Sequence, residues 1–284
     1  EISLPACLVI HYQNFKNKYG AIPSMDGPKG GQIDLDANFF AEWESDKVIG
    51  VKGSIMNQSF SNKSKIAAGN EDLFHAFTNM TATPYINFEG ANWNAELGFN
   101  VSALLDVKTK FNVSPNVKAY VHVNDVNTFY GEITGGVNNN TFLDILQENR
   151  YLYMDSRVQY SKTLFDFKAG FKSGIISGLE FDIFAGYKKT DDDHLYIKYQ
   201  PSLGGLIPTD EKFFSAISAM YADVSTGHVG GLLRTKLIPC TDLSAKITAY
   251  FYNVKYGLDL DLDKKAWGRP TFTAEFNADV KPID

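Results

Sequence analysis

Acidic and basic side chains recur at every second position through several stretches of the chain, a spacing that gathers them on one face of an extended strand. Asp34, Asp36, Glu42, Glu96, Asp166, Glu180, Asp182, Glu275 and Asp279 share that pattern with Lys118, Lys168, Lys172, Lys246 and Lys281. Such a set does electrostatic work rather than bond-making. Lining a watery interior, a wall richer in carboxylates than in lysines favours cations over anions. Packed against one another, the same groups become cross-strand ion pairs that close the interior.

No catalytic arrangement accompanies them. The sequence has no phosphate-binding Gly-x-x-x-x-Gly-Lys loop, no Gly-x-Ser-x-Gly elbow, no His-Glu-x-x-His and no Cys-x-x-Cys. His11, His75, His122, His194 and His228 are scattered. Neither an enzyme nor a cofactor is expected. Asp191, Asp192 and Asp193, followed by His194, form an oxygen-rich run of the kind that can hold calcium. They lack the ligand spacing and turn glycine of a calcium loop, so the expectation is a solvated loop tip and no metal. Cys7 and Cys240 show no metal spacing, and a disulfide between them stays open.

Composition narrows the classes further. The 284 residues carry 27 Lys+Arg against 33 Asp+Glu, a net charge of −6, which argues against a general nucleic-acid binder. Aromatic residues make up 14% of the chain and hydrophobic residues 44%, enough for a large folded domain. No apolar run approaches the roughly 18 residues that a membrane-spanning helix needs, Leu4–Ile10 being typical of the short stretches present. Membrane-spanning strands need only about 9–11 residues and are not excluded. Glu1 is not followed by a basic, apolar leader, so the expectation is a processed form or a segment of a longer protein.

The elements that must position the charges are strands. Trp93, Ala95, Leu97, Phe99, Val101 and Ala103 alternate with Asn94, Glu96, Gly98, Asn100 and Ser102. A helix would mix those two sets. The same two-residue period marks Ile33–Trp43, Val117–Val123, Phe165–Phe171, Leu179–Tyr187, Leu243–Phe251 and Phe272–Lys281. Weaker versions fill Leu4–Phe15, Lys47–Ser59, Thr83–Phe88, Thr128–Thr134 and Ser218–Leu237, giving about twelve strands.

Tight connections are expected at Glu44–Lys47, Glu89–Asn92, Asn124–Asn127, Ser177–Gly178 and Pro239–Asp242, and long loops near 18–30, 58–82, 135–162, 188–213 and 253–269. Counting the link at Asp106–Lys108 with the long set, the two classes alternate. An up-and-down meander then has short turns at one end and long loops at the other, the pattern of outer-membrane barrels. The apolar faces would meet lipid and the charged faces a lumen. A barrel of about twelve strands can be filled or open, since small barrels are filled and those of roughly 16 or more leave a channel. Asn70–Phe77 and Thr141–Leu146 read as short helices within the loops. Tyr12, Tyr85, Trp93, Tyr130, Tyr151, Tyr187, Tyr221, Tyr250, Tyr252 and Tyr256 are candidates either for interfacial aromatic girdles or for ordinary packing.

Gly178–Tyr187, Gly227–Gly231 and Lys265–Phe272, together with Pro84-Tyr85-Ile86, Trp93, Ser114–Lys118 and Thr134-Gly135-Gly136, occur in this order along the chain. In these segments the sequence resembles the barrel portion of TonB-dependent-receptor-like outer-membrane proteins of Bacteroides-type bacteria. Two departures stand out. The family's plug domain and TonB box have no counterpart, because the first residues already read as strand. The last residues, Pro282-Ile283-Asp284, read as a turn where such barrels end in a strand with an aromatic residue.

The expected fold is therefore a single all-β domain over 1–284, an antiparallel up-and-down outer-membrane barrel of about twelve strands or part of a larger one. The resemblance implies a location in the bacterial outer membrane and a transport-related role. Its implied partners are outer-membrane lipid, a small solute or nutrient, and a separate plug or surface partner, with no nucleic acid. Two other readings of the pattern are a soluble or surface barrel binding a hydrophobic ligand, with both faces reversed, and a structural or adhesive barrel acting through its loops.

Overall fold

The structure, a computed structural model, describes residues 6–18, 26–44, 46–62, 75–106, 108–152, 158–199, 216–256 and 265–281. Its strands are β1 (Ala6–Lys16), β2 (Lys29–Glu44), β3 (Lys47–Phe60), β4 (Phe77–Gly90), β5 (Trp93–Leu105) and β6 (Lys110–Asn124). They continue with β7 (Asn127–Asn138), β8 (Ser161–Ile176), β9 (Leu179–Tyr199), β10 (Ala216–Thr235), β11 (Thr241–Lys255) and β12 (Phe272–Val280). One short helix, α1 (Phe142–Glu148), lies between β7 and β8.

All twelve strands hydrogen-bond in chain order as a single antiparallel sheet. β1 pairs only with β2 and β12 only with β11, so both outer edges are unpaired among the described residues. The meander and its strand number are those expected from the two-residue period. The short connections after β2, β4, β6, β8 and β10 lie at one end of the sheet. Their chemistry is local: Gly178 adopts φ 87°, which side chains other than glycine rarely tolerate. Asn124 Oδ1 accepts from the amides of Val126 and Asn127 at 3.1 and 2.9 Å.

Strand ends differ from the sequence expectation at the loop end. β9 runs on to Tyr199, well past the expected boundary at 188, because β10 supplies a ladder that pairs Asp193 with Ala222 and Leu195 with Met220. An irregularity opposite Ala222 and Val224, with Asp192 at φ 52°, absorbs the extra residue of β9. β3, β7 and β11 likewise reach into the expected loops. Of the two expected helices, that at Thr141 is present. In the other, residues 70–74 lie outside the described residues and Phe77 opens β4.

Register fixes which side each residue takes. One row reads Ile10–Leu35–Ile55–Met80–Ala103–Phe111 across β1 to β6. Another reads Val121–Phe129–Phe171–Ile183–Gly231–Ile247–Ala274 across β6 to β12. This apolar side is exposed: Phe111 retains 75% of its accessible surface and Phe276 71%. The polar side is concave, because side chains two strands apart meet across it. Tyr130 of β7 reaches Asp182 of β9, and Lys52 of β3 reaches Glu96 of β5. The soluble reading with inward apolar faces is thereby overturned.

Candidate functional site

Register places all thirteen of the interior candidates Asp34, Asp36, Glu42, Glu96, Lys118, Asp166, Lys168, Lys172, Glu180, Asp182, Lys246, Glu275 and Asp279 on the concave face. Lys281 follows β12, its amide donating to the Cys240 carbonyl at 2.8 Å. The face divides into two tiers.

The tier nearer the short turns is charged and aromatic. Glu96, Lys118, Glu132 and Lys168 stand opposite one another in turn across β5 to β8, so each charge has neighbours of opposite sign. Lys172 faces Asp182, Asp166 faces Lys188 and Lys246 faces Glu275 in the same way. Lys52 Nζ lies 3.1 Å from Glu96 Oε2 and 4.4 Å from the centre of the Tyr85 ring. Tyr120 donates to Glu132 at 2.9 Å, and Tyr130 to Asp182 at 2.9 Å. Tyr130 crosses β8 over Gly170, where any Cβ would overlap its ring. Lys168 lies 4.8 Å from the Phe184 ring centre and Lys172 5.1 Å from that of Tyr130. At the turn end Asp242 and Asp279 oppose each other, and Arg234 and Lys236 both pair with Asp242.

The tier nearer the loops is built mainly of buried, uncharged groups. Gln58, Asn79, Ser102, Asn112, Ser114 and Thr163 are all at most 5% exposed. Thr81 and Ser102 share a hydroxyl hydrogen bond of 2.8 Å, and Asn79 donates to Asn139 at 2.7 Å. Asn100 donates to the Gly135 carbonyl at 2.6 Å, where β7 departs from β6: the two strands pair only from Asn116 and Thr134 toward the turn. Gln58 Nε2, Asn79 Oδ1, Ser114 Oγ and both amide atoms of Asn112 find no hydrogen-bond partner among the described residues. Leaving such groups unmet costs about 1–3 kcal/mol each.

A strap closes over this tier. Thr141 caps α1, its hydroxyl accepting from the Asp144 amide while Asp144 accepts from the Thr141 amide. Phe142 and Ile145 are buried against Phe15 of β1, Phe60 of β3 and Ala219 of β10. The ring centres of Phe15 and Phe142 lie 5.3 Å apart. At the helix end, Glu148 accepts from Tyr196 at 2.8 Å and meets His194 Nε2 at 2.7 Å. Burial alone would raise the Glu148 carboxyl, but the hydrogen bonds from His194 and Tyr196, aided by Arg269, hold it below its ordinary value.

The expected oxygen-rich run is dispersed. Asp193 is buried and bound to Arg269 at 2.8 Å, and the Asp192 amide donates to Asp223 at 3.2 Å. No three metal-ligating side chains converge among the described residues. Cys7 and Cys240 are both free and exposed. The aromatic candidates divide: Tyr12, Trp93 and Tyr187 are exposed on the apolar side, whereas register turns Tyr85, Tyr130, Tyr250 and Tyr252 onto the concave face, away from any girdle. Tyr221 packs against the strap, Tyr151 is exposed beside it, and Tyr256 donates to the Lys265 carbonyl at 2.8 Å.

Sequence reasoning missed Lys52, Glu132, Lys188, Arg234 and Arg269. The first four sit in the same alternating pattern as the residues found, and Gly131 and Gly135 thin the pattern around Glu132. Arg269 carries no such signal, since it lies outside any strand.

In fold, the twelve-stranded meander matches part of the barrel wall of solved outer-membrane proteins. Among solved structures, the chain is similar to the copper transporter OprC, with a TM-score of 0.58 at 13% identity over 99% of this chain and 47% of that one. It is equally similar to the siderophore receptor PirA from Acinetobacter baumannii, with a TM-score of 0.58 at 11% identity over 98% and 46%. The FrpB iron transporter from Neisseria meningitidis gives 0.57 at 10% identity over 92% and 43%. The chain thus spans less than half the length of these proteins. No family model and no curated protein matches the sequence.

Proposed function

We propose that this chain forms the wall of a bacterial outer-membrane β-barrel with a transport-related role, in which solutes pass along the concave polar face beneath the long loops. The observation that carries the reading is the apolar side. The rows Ile10–Leu35–Ile55–Met80–Ala103–Phe111 and Val121–Phe129–Phe171–Ile183–Gly231–Ile247–Ala274 contain no Asp, Glu, Lys or Arg, and the charges on that side, Lys16, Lys29, Lys47, Lys189, Asp223 and Lys255, lie outside these rows. At mid-bilayer a single Arg or Lys on that side would cost about 2–4 kcal/mol. In water, by contrast, so wide an exposed apolar surface would drive association.

The chain acts by recognition and passage rather than by catalysis, and its neighbours in fold are transporters and receptors for copper, iron and siderophores. Its partners are outer-membrane lipid along the apolar side and a small solute along the other. A plug or surface partner would occupy the remaining width of the concave face.

The deciding experiment is size-exclusion chromatography with and without detergent, each peak checked by circular dichroism and by gel mobility before and after boiling. Detergent-dependent, β-rich, heat-modifiable protein is expected. A monodisperse, detergent-free, β-rich monomer would overturn the reading.

A further inference from the structure

Beneath the segment that carries Arg269, β8 to β11 enclose a cavity of about 570 Å³ on the concave face. Four cations stand on its wall, Lys168, Lys188, Lys246 and Arg269, against two carboxylates, Asp166 and Asp182, with Arg269 also bound to Asp193 and Lys188 standing opposite Asp166. A basic hollow is unexpected in a chain of net charge −6. Moreover, Asp182 is already engaged by Tyr130 at 2.9 Å and stands opposite Lys172. Lys188 has no ion pair among the described residues, and Lys246 is held only loosely, 3.8 Å from Glu275.

Two further features point to an occupant. Thr248 lies on the same wall, is 2% exposed, and its hydroxyl has no hydrogen-bond partner among the described residues. Buried hydroxyls are ordinarily bonded, so this one suits a ligand's acceptor. Beside it the Tyr250 and Tyr252 rings lie 6.1 Å apart and within 11° of parallel, and Phe184 stands on the same wall. Flat rings flanked by ammonium groups match a flat molecule carrying an oxyanion.

We propose that this cavity binds a small planar organic anion, its phosphate or carboxylate group held by Lys188, Lys246 and Thr248 and its flat body against Tyr250 and Tyr252. The inference deepens the passage reading above and rests on it for access to solute. It also sets the local preference against the cation preference that the carboxylate excess of the whole face implies.

The test uses the full chain in a non-ionic detergent, titrated calorimetrically with phenyl phosphate, inorganic phosphate and phenyltrimethylammonium. Saturable binding of phenyl phosphate is expected, weaker by about tenfold for inorganic phosphate and absent for the cation. Lys188→Gln with Lys246→Gln should weaken phenyl phosphate by at least about tenfold. Tyr252→Leu should erase the advantage of phenyl phosphate over inorganic phosphate. Circular dichroism and heat-modifiable mobility, recorded on each sample, establish that the variants fold. Equal or tighter binding of the cation, unchanged binding by the double lysine variant, or no saturable binding by a well-folded chain overturns the site. Were the chain monodisperse without detergent, the membrane reading would fall first, and the same titration in plain buffer would still decide the cavity.

Discussion

The two tiers of the concave face meet the same demand, polar groups facing inward, by opposite means. Near the short turns, charges stand in water and neutralise one another: Lys118 lies between Glu96 and Glu132, and Lys168 faces Glu132. Near the loops most of the buried polar groups carry no charge, Gln58 and Asn79 bond to the strap, and several have no partner among the described residues. The difference follows from solvent. An exposed ion pair loses little by being hydrated, whereas a buried charge without a close partner costs far more than a buried amide. Burying mainly amides and hydroxyls there, and pairing the buried Asp193 with Arg269, keeps that cost low. It also makes the strap, not the floor, the source of stability there.

The sharpest way to break this contrast is to remove the strap's anchor. Phe142→Ala should cost about 3–5 kcal/mol locally, since the ring is fully buried against Phe15 and Phe60. Faster hydrogen exchange at Ser102 and Asn112, with none at Lys118 or Lys168, is the expected readout. Equal exchange in both tiers would show that the strap protects nothing.

A smaller effect of the opposite sign is expected for Asn112→Leu. Both amide atoms of Asn112 are buried without partners among the described residues, so replacing them with a hydrocarbon of similar size should stabilise the protein by about 1–2 kcal/mol in a denaturant titration. A loss of stability would mean that these atoms are satisfied in solution.

Acid should release the strap. The carboxyl of Glu148 is held below its ordinary value of 4.5 by His194 and Tyr196. A depressed carboxyl stabilises above that value and loses its contribution as pH falls through the folded pKa. Proteolysis of the strap should therefore accelerate below about pH 4.5, and Glu148→Gln should remove the dependence.

The smallest effect belongs to Lys52→Gln. Its ion pair with Glu96 is half exposed and should be worth under about 1 kcal/mol, less at high salt.

How much of this was legible in the sequence divides along the same line. The two-residue period marks part of every strand, because burial by lipid or by neighbours acts on alternate residues whatever the strand's length. The buried tier was not legible. Gln58, Asn79 and Asn112 look like loop residues, since amides are as common in turns as beneath a strap. The extension of β9 was hidden for a related reason. Asp191, Asp192 and Asp193 read as a solvated tip because the cation that balances Asp193, Arg269, lies far along the chain and outside any strand. Contacts distant in sequence leave no local period. Gly170, by contrast, carries a meaning visible only in three dimensions, as the space that lets Tyr130 reach across a strand.

The neighbour-only pairing of the sheet also dictates an order in time. Each strand meets the one just before it, so every pairing closes no more than one turn or one loop, and lengthening a loop adds little entropy loss to any single step. The strap is different in kind, because it gathers Phe15 at one end of the chain with Ala219 near the other. That closure gains nothing until almost every hairpin is in place, so it comes last. The Asn112 amide and Gln58 Nε2, without partners among the described residues, thus stay hydrated through most of folding and lose their water only in the final step.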